Sequence, residues 1–160
     1  MNSLFRKGQP KARRSSLSRN TLQLQIAAMF PRDPLDNEFT IRFQPVPHYV
    51  PTFAVDIRAS EDGPRFTFGA DCAPNEGLVE FARDTDFLLI EATLREPEDD
   101  EPRGHLTATE AGEHARAAGA RRVAITHITD ELDQELSLRQ AEEAFGASVE
   151  LARSGSVIEL

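Results

Sequence analysis

The sequence predicts a mixed α/β fold in which helices pack on a sheet. Three observations lead to this prediction. Apolar residues alternate with polar ones between Phe39 and Phe68, a pattern typical of half-buried strands. From Asn75 onward, continuous apolar runs alternate with apolar stripes at helical spacing, as in β/α units. Two short apolar runs after Gly146 indicate closing strands.

The first part of this pattern predicts an antiparallel meander of three strands. The alternating apolar positions are Phe39, Ile41 and Phe43, then Phe53, Val55 and Ile57, and last Phe66 and Phe68. The turn signal Asp62-Gly63-Pro64 separates the second strand from the third.

The second part predicts helices and buried strands in alternation. The predicted elements are a helix over Asn75–Arg83, a strand over Phe87–Ile90, a helix over Thr107–Ala118, a strand over Val123–Ile125, a last helix marked by Leu138, Ala141 and Phe145, and closing strands at Val149–Leu151 and Val157–Leu160. The alanine stripe of the Thr107–Ala118 helix would let it lie close on a sheet, and Gly119 is placed to end it. Glu96–Glu101 is acidic and contains a proline, so we expect a solvated loop there.

Charge divides the chain into two segments, a basic leader over residues 1–37 and a folded body over residues 38–160. Residues 1–32 hold seven Lys/Arg and no acid, whereas the rest holds 11 basic and 27 acidic residues, a net charge of −16. We expect the leader to be disordered or to hold a short helix over Thr21–Phe30, although its charge could also contact RNA. The acidic body would repel a nucleic-acid backbone unless a metal ion or a local basic groove offsets it.

Composition excludes several classes of protein. A hydrophobic content of 39% and a charged content of 28% are ordinary for a globular chain of 160 residues. No apolar run approaches the roughly 20 residues that a membrane span needs. The single cysteine, Cys72, rules out an internal disulfide framework, so the cytoplasm is the default location.

Four polar residues lie at predicted strand ends or in loops, where α/β sheets place their ligands and catalytic groups. They are His48, Asp71, His105 and His127. Such residues from separate strand ends can converge on a metal pair, because imidazole suits zinc and a carboxylate can bridge two ions. Spacing alone also allows each histidine to be an ordinary hydrogen-bonded surface group. The fourth histidine, His114, is expected to face solvent in the middle of a helix.

Five segments, in order, resemble motifs of the later half of the metallo-β-lactamase superfamily, especially the branch of tRNA 3′-processing endoribonuclease Z and related phosphodiesterases. They are Pro45-Val46-Pro47-His48, Phe68-Gly69-Ala70-Asp71-Cys72, Glu91-Ala92-Thr93, Gly104-His105-Leu106-Thr107 and Ile125-Thr126-His127. The second is similar to the family's Gly-Asp-Thr segment, the third to its His-Glu-Ala-Thr loop, and the fourth to its His-Ser-Thr loop. The resemblance extends over Phe39–Leu160 and implies the carboxy-terminal half of an αββα sandwich.

The resemblance implies a metal-dependent hydrolase that acts on a phosphodiester or another small hydrolysable substrate. His48 and His127 would each bind a metal ion, and Asp71 would bridge the two. The metal would be zinc in a dinuclear site, with manganese or iron as alternatives. Glu91 would orient His105, which would serve as an acid or a transition-state donor near the leaving group.

Simpler structural roles are open for the same segments. Asp71 could cap the following helix, and Glu91 could pair with Arg103. Thr107 could be an N-cap with Glu110 completing a capping box, a role compatible with catalysis at His105. Cys72, in the family's threonine position, is expected to be a buried small side chain.

Two departures from the family pattern limit what the resemblance implies. No His-x-His-x-Asp-His motif is present, and no histidine precedes His48. Ile128-Thr129-Asp130-Glu131-Leu132 stands where tRNA-processing members have Ser-Arg-Tyr. We therefore expect a truncated or split enzyme that binds metal weakly alone and is a more general hydrolase. The alternative is an inactive half-domain that binds a partner, either a second copy or a complementing amino-terminal half.

Overall fold

The computed structural model describes residues 21–23, 39–98 and 102–160. The elements are β1 (Thr21–Gln23), β2 (Thr40–Val46), β3 (Thr52–Arg58), β4 (Arg65–Phe68), α1 (Glu76–Phe81), β5 (Phe87–Glu91), α2 (Ala108–Ala118), β6 (Arg122–Thr126), α3 (Gln134–Phe145) and β7 (Glu150–Leu151). The strands of these residues form a seven-stranded sheet in sequence order, β1 to β7. The predicted mixed α/β fold is therefore confirmed.

The sheet changes from antiparallel to parallel at its centre. Strands β1 to β4 pair antiparallel, which confirms the predicted meander. Strands β4 to β7 pair parallel, with helices in the connections. Parallel pairing places the carboxyl ends of β4, β5 and β6 at one edge, and the residues after them can therefore meet.

The helices begin and end where their capping residues dictate. Asn75 caps α1 through its side chain, and Asp133 does the same for α3. Thr107 and Glu110 form the complete capping box predicted for α2. Gly119 ends α2 in the left-handed conformation (φ +67°), which glycine adopts without a Cβ penalty.

The alanine stripe of α2 is wholly buried, as predicted. Its residues are Ala108, Ala111, Ala115 and Ala118. On the side toward α3, a Cβ on Gly112 would lie 2.4 Å from the carbonyl oxygen of Ala141. Small residues thus let α2 lie close to both the sheet and α3.

The two faces of the sheet differ. Phe87 and Ala124 are fully buried on one face, whereas the other face packs against the helices. Its residues join the helices in the core, with Leu88, Ile90, Val123 and Ile125 at most 1% exposed. The register aligns a second set of apolar side chains on the opposite face, here called the second apolar face: Ile41, Phe43, Phe53, Val55, Ile57, Phe66, Phe68 and Leu89. These are half-buried, except that Phe53 is 49% exposed.

The structure corrects the sequence prediction at both ends of the sheet. Thr21–Gln23 form a strand paired with β2, so the short helix predicted over Thr21–Phe30 does not begin there; residues 24–30 lie outside the described residues. Strand β7 lies parallel to β6, and Val157–Leu160 form no strand. Val157 is 88% exposed, so its apolar pattern has no packing partner. No helix in the described part of the chain is long and apolar enough to cross a membrane.

Candidate metal centre

Glu91 organises the loops at the carboxyl edge of the sheet. It ends β5, and its side chain is fully buried. Its Oε1 accepts hydrogen bonds from the Cys72 amide (3.2 Å), the Leu106 amide (3.0 Å) and His105 Nδ1 (3.0 Å). Its Oε2 accepts one from the Thr93 amide at 2.9 Å. One carboxylate thereby joins the loop after β4 to both ends of the connection between β5 and α2, and four donors compensate for its burial.

His105 and His48 are oriented by oxygen atoms that accept from Nδ1. The Glu91 carboxylate fixes the proton of His105 on Nδ1. His48 Nδ1 donates to the Gly104 carbonyl at 2.8 Å, since a carbonyl oxygen can only accept. In both rings the contact leaves Nε2 as the nitrogen that is available to a ligand.

Asp71 and His127 occupy strained turns directly after β4 and β6. Ala70, which precedes Asp71, and His127 itself both have φ +55°. Each such residue costs about 1–3 kcal/mol, and such strain clusters at functional sites. His127 Nδ1 lies 2.8 Å from Thr93 Oγ1 and 3.3 Å from Asp71 Oδ1. The Thr93 hydroxyl donates to the His127 carbonyl, so it accepts from Nδ1, and Nε2 again remains available.

Three of the predicted residues offer ligand atoms to a common point. The ligand atoms of Asp71, His105 and His127 all lie within 4.8 Å of one another. The His48 ring centroid is 4.9 Å from that of His105, which in turn is 5.5 Å from that of His127. The structure therefore brings all the predicted site residues together, with His48 beside the group of three.

The chemistry of this donor set fits a divalent metal ion. Imidazole nitrogens and a carboxylate are the ligands that zinc takes in hydrolytic sites, and such sites keep one position open. The side chains of His127 and Asp71 are 48% and 37% exposed, so solvent or substrate can reach the group. The protein contacts at Nδ1 of the histidines are those expected behind metal-binding imidazoles.

The simpler roles open to these segments are largely excluded by the contacts. Asn75, not Asp71, caps α1. Arg103 pairs with Glu110, not with Glu91. Cys72 is fully buried as expected, and burial, together with the charge of Glu91, raises the pKa of its thiol to about 12.

Some contacts were missed in the sequence. His114 is not solvent-facing as expected, because its Nε2 accepts from the Asn75 amide (3.1 Å) and its Nδ1 donates to the Glu110 carbonyl (2.8 Å). Thr93 carried no signal in the sequence beyond its place in the Glu91-Ala92-Thr93 segment, yet it contacts His127. Tyr49 lies beside His48, with ring centroids 5.0 Å apart and ring planes tilted by 48°, and nothing in the sequence singled it out.

Comparison with known proteins gives concordant matches. The family model of the beta-lactamase superfamily domain matches residues 2–128, a range that includes most of the predicted leader. Ribonuclease Z of Halorubrum lacusprofundi is 38% identical over 102 residues, which are 61% of this chain and 33% of that protein. The probable metallo-hydrolase YhfI of Bacillus subtilis is 29% identical over 121 residues, which are 76% of this chain and 49% of that protein.

Solved structures share the fold. The crystal structure of the metallo-beta-lactamase fold protein YhfI from Bacillus subtilis superposes with a TM-score of 0.67 at 26% identity, covering 79% of this chain and 50% of that one. The short form of human tRNase Z gives a TM-score of 0.58 at 24% identity, covering 82% of this chain and 45% of that one. The chain thus spans a third to a half of the length of these proteins.

Proposed function

The chain belongs to the beta-lactamase superfamily, and on that premise we propose that it carries part or all of a metal-dependent phosphodiester hydrolase. The observation that carries the proposal is the convergence of Asp71, His105 and His127 within 4.8 Å, open to solvent on one side. The relatives support the substrate class, since several are named ribonuclease Z.

We propose that His48, Asp71 and His127 hold the metal, with zinc as the ion and Asp71 as the bridging ligand where two ions bind. A bound divalent ion would polarise a phosphoryl oxygen and make a water molecule more acidic. The protein supports metal binding because every histidine of the site has its Nδ1 hydrogen-bonded to an oxygen. The Nε2 atom of each ring is therefore the nitrogen that can bind a ligand without a change of tautomer.

His105 is proposed as the donor to the leaving group. The buried Glu91 carboxylate accepts from its Nδ1 and orients the ring. A protonated His105 can give the Nε2 proton to a departing alkoxide, whereas a neutral His105 would instead offer Nε2 as another ligand. The short distances within the group of three allow either role, so the two roles need to be separated by experiment.

Metal content of the purified, dialysed chain tests the proposal. Because the chain is expected to bind metal weakly alone, the dialysis buffer contains zinc; we then expect ~1–2 zinc ions per chain for the wild type and a loss of zinc for the His48→Ala/His127→Ala double variant. His114→Ala is the matched control, because it removes a half-buried histidine outside the site, and it should retain zinc. Circular dichroism of each variant must show a folded chain. Equal zinc content in the wild type and the double variant would contradict the assignment of the ligands.

His105→Ala separates the two roles of His105. If it is a donor, the variant retains zinc and loses activity toward bis(p-nitrophenyl) phosphate less than toward a diester with a poor leaving group, because a good leaving group needs no proton. If it is a ligand, the variant loses zinc itself. The same assay on RNA, with and without residues 1–20, tests whether the basic leader contributes to an RNA substrate, because this truncation keeps β1.

The second apolar face favours a second candidate function, a half-domain that acts by binding a partner. Eight apolar side chains lie on this face, and Phe53 is nearly half exposed. A face of this kind is suited to covering by another sheet, from a second copy or from a complementing amino-terminal half. Light scattering on the eluted chain should show a dimer that Phe53→Ser and Val55→Ser weaken; a monomer that is unaffected by both would contradict homodimer formation.

A further inference from the structure

Tyr49 presents an open aromatic ring at the rim of the candidate metal centre. Its ring centroid lies 5.0 Å from that of His48 and 5.8 Å from that of His105. The residue is 53% exposed, although it directly follows a half-buried histidine. An aromatic surface is therefore available to solvent beside the proposed position of the phosphoryl group.

The ring is held in this position by its neighbours. A Cβ on Gly104 would lie 2.5 Å from Cε2 and 2.7 Å from Cζ of Tyr49, so the ring occupies the space that only glycine leaves. On the far side, the Tyr49 hydroxyl donates to Glu98 Oε2 at 3.3 Å. A ring that packs on Gly104 and is hydrogen-bonded at its tip has a defined position, which binding would not have to order.

We propose that Tyr49 is the surface on which a nucleobase stacks when it is attached next to the scissile phosphate. This inference rests on the proposed function, because it takes the phosphate to lie at His48 and His105. Stacking on an aromatic ring suits any base, since every base has a π-face, and a tyrosine contributes a rigid surface with little entropy loss.

Charge favours a short substrate over a long nucleic acid. Glu98 accepts from the Tyr49 hydroxyl, so a further phosphate on that side would meet a negative group. The whole chain has a net charge of −9. A mononucleotide unit or the end of an oligonucleotide therefore fits this rim better than a continuous phosphate backbone.

Binding of two probes by the full zinc-loaded chain tests the inference without turnover. Adenosine 5′-monophosphate and ribose 5-phosphate carry the same phosphate, and only the first carries a base. Equilibrium dialysis should show that the wild type binds the nucleotide about 5- to 150-fold more tightly, the range of a single base stack. Tyr49→Ala should reduce this ratio to about one while the affinity for ribose 5-phosphate stays the same.

Three variants separate stacking from packing. Tyr49→Phe keeps the ring and should keep the ratio. Tyr49→Leu fills the space over Gly104 without a π-face and should lose it. Val50→Ala changes the adjacent residue, which is 61% exposed, and should leave the ratio unchanged. The chain has one tyrosine and no tryptophan, so nucleotide stacking should also quench the tyrosine fluorescence of the wild type, measured against free tyrosine at equal absorbance.

The outcomes distinguish this inference from the function on which it rests. Equal wild-type affinities for both probes would overturn the role of Tyr49 and leave the phosphate site intact. A ratio retained by Tyr49→Leu would likewise overturn it, because packing alone would then account for the preference. If neither probe binds in a zinc-dependent manner, the proposed function fails and this inference fails with it.

Discussion

Replacement of Glu91 by glutamine tests whether one buried carboxylate holds the site loops together. The change preserves the size of the side chain and replaces one oxygen with an NH2 group. Oε1 accepts three hydrogen bonds and Oε2 accepts one, from the Thr93 amide. The amide nitrogen will therefore occupy the Oε2 position, where it and the Thr93 N–H are two donors facing each other.

The magnitude follows from these four contacts. A buried donor left without an acceptor costs about 1–3 kcal/mol. The three bonds to the remaining oxygen change from charge-assisted to neutral, which weakens each by about 1 kcal/mol. Release from burying a negative charge offsets part of this loss. We expect a net decrease in the free energy of unfolding of about 2–4 kcal/mol, a large share of the 5–15 kcal/mol typical of a domain.

Urea unfolding followed by circular dichroism, in the presence of a chelator, measures this decrease apart from metal binding. Glu96→Gln is the matched control, because Glu96 is an exposed glutamate in the loop after the same strand. It should change the free energy of unfolding by no more than about 0.5 kcal/mol. If His105 is a ligand, the zinc affinity of Glu91→Gln should fall about 10- to 100-fold, the range for removal of a group behind a ligand. If His105 is the proposed donor, zinc affinity should stay the same and activity toward a diester with a poor leaving group should fall.

Two results would refute this reasoning. If Glu91→Gln unfolds within about 0.5 kcal/mol of the wild type, the four hydrogen bonds do not hold the loops together. If stability falls while zinc affinity and activity both stay the same, Glu91 supports the fold and does not position His105.

The other predictions concern the rest of the described fold. Glu110→Ala removes both the capping box and the Arg103 ion pair and should destabilise by about 1–3 kcal/mol in urea unfolding at pH 7. Burial raises the pKa of Glu110, but hydrogen bonds from Arg103 and Thr107 outweigh it and lower that pKa overall. The stability that ionised Glu110 contributes is therefore present above the ordinary glutamate pKa of about 4.3 and is lost as pH falls through the lower pKa of the folded chain. The difference in the free energy of unfolding between the variant and the wild type should shrink over that pH range. Gly112→Ala should lower the stability measured by thermal unfolding by about 1–3 kcal/mol, because its Cβ meets the Ala141 carbonyl at 2.4 Å; an unchanged melting temperature would contradict the close packing of α2 and α3. The fully buried thiol of Cys72 should react with iodoacetamide only after denaturation, as followed by mass spectrometry, and rapid native labelling would contradict its burial.

The parts of the fold that sequence predicted well are those set by local chemistry. The Thr107–Glu110 capping box depends on residues three apart, and Gly119 ends the helix by its own backbone freedom. The run Phe87–Ile90 could be assigned to a buried strand because each of its side chains is apolar. Such signals need no knowledge of what lies elsewhere in the chain.

The errors arose where the outcome depends on a distant partner. The short apolar run at Val157–Leu160 indicates a strand only if another strand is available to pair with it, and in this chain Val157 remains 88% exposed. His114 has charged neighbours in sequence, but in the fold it lies beside the start of α1. The backbone amide of Asn75, which caps α1, donates to the His114 ring. Neither result can be read from the local pattern, because tertiary contacts decide both.

The same distinction explains what could be anticipated at the candidate site. Strand ends indicated which residues would gather, since parallel strands bring their carboxyl ends to one edge. The direction of each imidazole depends instead on acceptors from other segments, namely Gly104, Glu91 and Thr93. The sequence could therefore propose the ligands, but the free nitrogen of each ring required the structure.

These contacts divide the site into a rigid part and an exposed part. Glu91 and the Gly104 carbonyl fix His105 and His48 from the interior, with His105 only 16% exposed. Asp71 and His127, by contrast, follow or occupy strained turns at the surface and are held chiefly by each other and by Thr93. A ligand that contacts both parts would offset the energetic cost of the strained backbone at Ala70 and His127. Such compensation is expected where backbone strain is retained for binding. The site is thus arranged so that binding mainly orders Asp71 and His127, while the His48–His105 pair already has its orientation.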